Sequence, residues 1–160
     1  MILPEANLLI YAHNALDPRH EAARRWWDER LAGPEGVDLA WVVLLAFIRL
    51  SAHPRVFHTP FGPAEALERV EVWLSLPHVA IFSPKASRFT TLNALLRQAG
   101  TAGNLTTDAH LAALAIDHNP VLHTTDADFA RFPDLKWKNP LRRRQGFKPR
   151  SAAAGAIHAC

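Results

Sequence analysis

Apolar and polar positions along the 160-residue chain alternate between short strand-like runs and longer stretches of helical period. Ile2-Leu3 reads as a strand stopped by Pro4, and Asn7 as the cap of a short helix through Leu8–His13. Asp17-Pro18 starts a second helix, which runs through Trp26 and Trp27 and ends at Gly33-Pro34. Val37–Leu39 is strand. Trp41–Ala52 is a strongly apolar helix closed by Pro54, with Val43, Phe47 and Leu50 as its core face. Pro63 opens the helix Ala64–Leu74, with Glu65, Glu68 and Glu71 turned outward. Val79–Phe82 is strand, Lys85–Ala99 a helix ended by Gly100, and Thr106 or Thr107 starts the alanine-rich helix Ala109–His118. Val121–Thr124 is strand, Asp126-Ala127-Asp128 a turn, and Leu135–Trp137 a last edge strand. Strands alternating with helices predict an α/β sandwich with a mostly parallel central sheet surrounded by helices.

Hydrophobic residues make up 49% and charged residues 21%, as in an ordinary globular domain. The apolar stretches around Leu8–Ala12 and Leu39–Ile48 fall far short of the roughly 18–20 residues that span a bilayer, so no membrane association is expected. No basic n-region precedes the first apolar run, and the one cysteine, Cys160, allows neither an internal disulfide framework nor a cysteine zinc site. A cytoplasmic location is expected. The net charge of +3 is unevenly spread. Residues 136–150 carry seven of the 18 basic residues and no acid, so the preceding 135 residues, with 11 basic and 15 acidic side chains, have a formal charge of -4. A mildly acidic body (1–141) is therefore followed by a basic, then alanine-rich tail (142–160), expected to be flexible. Such a cationic strip suits nucleic-acid phosphates, an acidic partner or simple solvation.

The carboxylates are the sharpest feature. Glu5 follows the first strand directly, and Asp126 and Asp128 follow the strand Val121–Thr124. In an open parallel sheet, ligands bind beyond the carboxyl ends of the strands. With those strands as near neighbours, Glu5, Asp126 and Asp128 face one small volume, and Asp108 joins them from a helix start. Crowded carboxylates repel one another unless a cation neutralises them. With hard oxygen donors, no usable cysteine and no paired histidines, that cation is Mg²⁺, with Mn²⁺ as substitute. Structural readings stand beside this one: Asp108 complementing a helix dipole, and Asp126 and Asp128 capping a turn. No Gly-rich phosphate loop, nucleophile elbow or His-Glu-x-x-His motif occurs. A phosphatase with an aspartate nucleophile after the first strand is disfavoured, because Glu5 and Asn7 stand where it needs two aspartates.

The run Ile2-Leu3-Pro4-Glu5-Ala6-Asn7-Leu8-Leu9-Ile10-Tyr11-Ala12 resembles the opening of PIN-domain ribonucleases, specifically the VapC-type toxins of type II toxin–antitoxin pairs. Trp41–Leu50, Thr107–Ala115, Thr124–Phe129 and Phe132–Leu141 resemble later segments of the same family, so the likeness spans about residues 1–141. The resemblance implies a PIN-like three-layer sandwich and a metal-dependent endoribonuclease that hydrolyses RNA with a metal-activated water. It also implies a homodimer and neutralisation by a VapB-type antitoxin. It carries metal binding onto Glu5, Asp108 and Asp126, a further catalytic acid onto Asp128, and supporting hydrogen bonds onto Asn7 and Thr125. Two positions depart from the pattern. Glu5 stands where the family has aspartate, and Phe47 where many members carry a glutamate. A longer arm at position 5 misplaces an oxygen that Mg²⁺ holds tightly, and about 1 Å of misplacement can cost on the order of 10²-fold in rate. The expectation is an attenuated nuclease, with a catalytically impaired module that binds RNA or antitoxin as the alternative. Glu5→Asp is therefore expected to cleave RNA faster than the chain as it stands, by up to about 10²-fold; equal rates in a side-by-side cleavage assay overturn the attenuation.

Overall fold

The computed structural model describes residues 1–82, 88–103 and 105–142. Five strands, β1 (Ile2–Pro4), β2 (Val37–Ala40), β3 (Val79–Phe82), β4 (Val121–His123) and β5 (Trp137–Lys138), form one sheet in the order β3-β2-β1-β4-β5. Every pairing is parallel. Helices α1 (Ala6–His13) and α2 (His20–Ala32) join β1 to β2, and α3 (Trp41–Ser51) and α4 (Pro63–Leu74) join β2 to β3. Helices α5 (Phe89–Ala99) and α6 (Leu105–His118) then carry the chain back past β1 to β4. Right-handed crossovers that travel in opposite directions put their helices on opposite faces of a sheet. The result is a three-layer α/β sandwich with its strand order reversing between β1 and β4.

The two helical layers are built differently. On one side, rings from four helices meet. Trp73 (α4) packs 4.8 Å from Phe47 (α3), 5.3 Å from Trp27 (α2) and 5.4 Å from His13 (α1) between centroids, as offset and edge contacts that favour aromatic pairs. On the other side, α6 lies close against the sheet because its buried positions are mostly small: Ala109, Ala112, Ala113 and Ala115, interleaved with Leu111 and Leu114.

Several element ends differ from the sequence expectation. Helix α1 begins at Ala6, one residue before Asn7, which donates to a side chain instead of capping the helix. Helix α2 begins at His20, because Asp17 is engaged in a local turn with the backbone and guanidinium of Arg19. Helix α6 begins at Leu105, which sets Asp108 inside its first turn. Strand β5 is Trp137–Lys138, beginning two residues later and ending one residue later than the expected Leu135–Trp137. The buried face of α3 is Val43, Leu44 and Phe47, with Leu50 only half-buried. Trp41 is 52% exposed, unlike Trp26, Trp27 and Trp73. Lys85, the expected start of α5, and residues 143–160 lie outside the described residues.

His123, on β4, is the least expected core residue. It is 1% exposed, neither ring nitrogen has a hydrogen-bond partner among the described residues, and its ring lies 5.6 Å from that of Trp26. Burial, aided by the nearby Lys138 charge, pushes its pKa down to about 3. The folded state then binds fewer protons than the unfolded state between the ordinary histidine value near 6.5 and about 3, so its contribution to stability is lost as the pH falls through that window. Acidification from pH 7 to 5 is expected to cost about 2 kcal/mol through this residue. Melting curves of the native chain and His123→Leu check it: the variant loses less stability on acidification, and parallel losses contradict the assignment.

Candidate active site

The sheet topology brings the carboxylates together. β1 and β4 are neighbours in register, with Ile2 opposite Val121, Leu3 opposite Leu122 and Pro4 opposite His123. Glu5 leaves β1 beside the end of β4, and its backbone N–H donates to the His123 carbonyl at 2.9 Å. Asp126 and Asp128 follow β4 by three and five residues. Helix α6 runs toward the start of β4, so its first turn, carrying Asp108, lies at the same carboxyl end of the strands. This is the reversal point of the strand order, where open α/β sheets leave a crevice.

Glu5 is 8% exposed, and both its oxygens are engaged. Asn7 Nδ2 donates to Oε1 at 2.7 Å, and the Thr124 hydroxyl donates to Oε2. The same Thr124 oxygen accepts the backbone N–H of Asp126 at 2.9 Å, so one buried threonine ties the acid after β1 to the acid after β4. Asp126 Oδ1 in turn accepts the Asp128 N–H at 2.8 Å and caps a 3₁₀ turn over Ala127–Arg131. The capping role anticipated for Asp126 is therefore present. Arg131, on that turn, stands 3.5 Å from Asp128 Oδ1.

The electrostatics follow from this crowding. Burial is the main cause that lifts the Glu5 carboxyl to about 7; the Thr124 hydrogen bond opposes the rise, and the charges of Asp108 and Asp126 add to it. Asp108 is raised as well, first by burial, then by Asp126 and Asp128, with Arg131 pulling the other way. Glu5, Asp108, Asp126 and Asp128 thus share one electrostatic neighbourhood. Among the described residues, however, no three Asp, Glu, His or Cys side chains stand close enough to hold one ion as they are placed. The donor set still fits a hard divalent cation. Mg²⁺ needs only one or two carboxylates and fills the remaining positions with water and phosphate oxygens, and Glu5 is already occupied by Asn7 and Thr124.

The side chains that donate to Glu5 are those of Asn7 and Thr124, and among the described residues no hydrogen bond joins Thr125 to it. The sequence carried a signal for this. Thr124 precedes Asp126 by two residues, the spacing at which a threonine oxygen accepts a backbone N–H, and it directly continues a buried strand. Arg131 was also missed, as one more arginine in an exposed turn. Phe47 is wholly buried against Trp73 and His13, so α3 brings no acid at that position. Clefts of about 420 and 450 Å³ gather around His13 and Phe61 at the far end of α1, and neither contains any of the four acids.

The PIN domain family model matches residues 2–135. Ribonuclease VapC33 of Mycobacterium tuberculosis is 39% identical over 142 residues, covering 89% of this chain and 99% of that protein. Ribonuclease VapC37 of the same organism is 38% identical over 140 residues, covering 88% and 97%. Among solved structures, VapBC2 from Rickettsia felis, bound to a DNA fragment from its promoter, superposes with a TM-score of 0.62 at 22% identity, covering 87% of this chain and 98% of that one.

Proposed function

The chain belongs to the PIN-domain family, and on that premise we propose that it is a metal-dependent endoribonuclease, the toxin of a toxin–antitoxin pair. What supports this reading is that Glu5 is buried at the end of β1 beside β4, where the charges of Asp108 and Asp126 reach it and that of Asp126 also reaches Asp108. Similarity to VapC ribonucleases along nearly their whole length supports RNA as substrate. Similarity in fold to VapBC complexes supports a VapB-type antitoxin as partner. We assign a homodimer and a cytoplasmic location to the same reading; among the described residues no helix is long and apolar enough to cross a membrane.

In this reading Asp108 and Asp126 hold Mg²⁺, or Mn²⁺ in its place, and Glu5 completes the acid set. When bound, such an ion lowers the pKa of an attacking water and offsets charge on the scissile phosphate. Thr124 and Asn7 fix the Glu5 carboxylate, so its position is set before substrate arrives. Asp128 orders the turn that presents Asp126, through its backbone N–H, and its side chain adds to the field felt by Asp108. Thr125 is left without an assigned part in the site.

One observation favours the impaired binding module as a second reading. Glu5 is longer than the family's aspartate, is buried, and is poised near 7, so at neutral pH it is partly protonated and a poorer ligand. A cleavage assay separates the two. The native chain is expected to cut RNA in Mg²⁺, to stop on chelation, and to lose on the order of 10²-fold or more in Asp108→Asn, with an unchanged melting temperature as the check on folding. Equal traces from native chain and Asp108→Asn contradict catalysis and leave the binding module.

A further inference from the structure

Residues 1–135, of formal charge -4 and with Glu5, Asp108, Asp126 and Asp128 in one electrostatic neighbourhood, repel the polyanion that the proposed reaction consumes. Approach of a phosphodiester chain therefore needs cations beside those acids, and the sheet supplies them at one edge. The Thr124 N–H donates to the Lys138 carbonyl at 3.1 Å, so the last residue of β5 lies beside the threonine that holds Glu5. Lys138 is exposed, and four residues on, Arg142 is exposed too. Among the described residues neither forms an ion pair with a carboxylate. On the turn that includes Asp128, Arg131 stands 3.5 Å from the Asp128 carboxylate and its charge reaches Asp108.

Lysines on an edge strand also guard against edge-to-edge pairing. That duty would apply to both edges, yet β3, the opposite edge, reads Val79-Ala80-Ile81-Phe82 and carries no charge. Lys136 offers an internal contrast. It is held by Asn119 Oδ1 at 2.7 Å, next to the start of β4 and so at the other end of the strands.

We propose that Arg131, Lys138 and Arg142 form a cationic rim that binds the phosphates of single-stranded RNA flanking the scissile bond. The inference rests on the nuclease reading and adds to it the surface that holds the substrate. The rim binds backbone and not bases, so it contributes affinity and a salt dependence without sequence preference.

The test uses the full chain carrying Asp108→Asn, which binds without turnover, and a fluorescein-labelled mixed-sequence single-stranded RNA followed by anisotropy across a salt series. Each phosphate contact contributes about 0.7 to the slope of log K against log salt. Replacing Arg131, Lys138 and Arg142 by Gln together is expected to lower that slope by about 2 and to weaken binding to all sequences alike. Lys136→Gln leaves the slope unchanged, and Lys138→Arg with Arg142→Lys restores it. An unchanged slope in the triple variant, while the native chain still cleaves RNA, overturns the rim and leaves the nuclease reading intact. Absence of both RNA binding by Asp108→Asn and RNA cleavage by the native chain overturns both. Loss of binding to polyglutamate with RNA binding unaffected assigns the rim to an acidic protein partner instead, and overturns the proposal.

Discussion

The structure is organised around the repulsion of carboxylates that the fold forces into one neighbourhood. Glu5, Asp108 and Asp126 come from the first residues, the last α-helix and the segment after β4, yet the charges of Asp108 and Asp126 raise the cost of ionising Glu5, and that of Asp126 the cost of ionising Asp108. Such crowding costs stability in the metal-free chain, and a protein retains it when the acids have work to do. Everything else about the site serves to hold them there. Thr124 bridges Glu5 to the Asp126 backbone, Asn7 takes the other Glu5 oxygen, and the 3₁₀ turn holds Asp126 through its capping bond.

The fold makes this possible through its topology. β1 is the central strand, and the chain leaves it in one direction through α1–α4 and returns on the other side through α5 and α6. That reversal falls between the ends of β1 and β4, the place where open α/β sheets leave a crevice. The aromatic packing of Trp27, Phe47, Trp73 and His13 locks the first layer without using the acid end. Core and chemistry are thus spatially separate. Phe47 illustrates the separation, since the position where the resemblance implied an acid is here filled by an aromatic core residue.

Much of this was legible in the order of residues. Short apolar runs followed directly by acids placed Glu5 and Asp126 at strand ends, and strand–helix alternation implied a parallel sheet on which those ends share a side. The neighbouring of β1 and β4 is a long-range pairing that no local pattern encodes; in the sequence it stands only as a condition on the acid site, and the register meets it. Helix starts were read late or early wherever a side chain had a competing task. Asn7 looks like a cap but bonds Glu5, and Asp17 looks like a cap but bonds Arg19. The resemblance points to Thr125 where the structure has Thr124 on Glu5, because two adjacent threonines differ only in which way the backbone turns them. His123 was hidden for a similar reason: a polar residue in a buried strand declares itself only once its surroundings are assembled.

The convergence of the acids is most directly measured by the titration of Glu5 itself. Carbon-detected NMR of its side-chain carboxyl in the metal-free chain is expected to give a midpoint near 7, falling when Asp108 or Asp126 is changed to Asn while burial keeps it above the ordinary carboxylate range. A midpoint in the ordinary range, or one that neither substitution moves, contradicts the shared site on which the account is built.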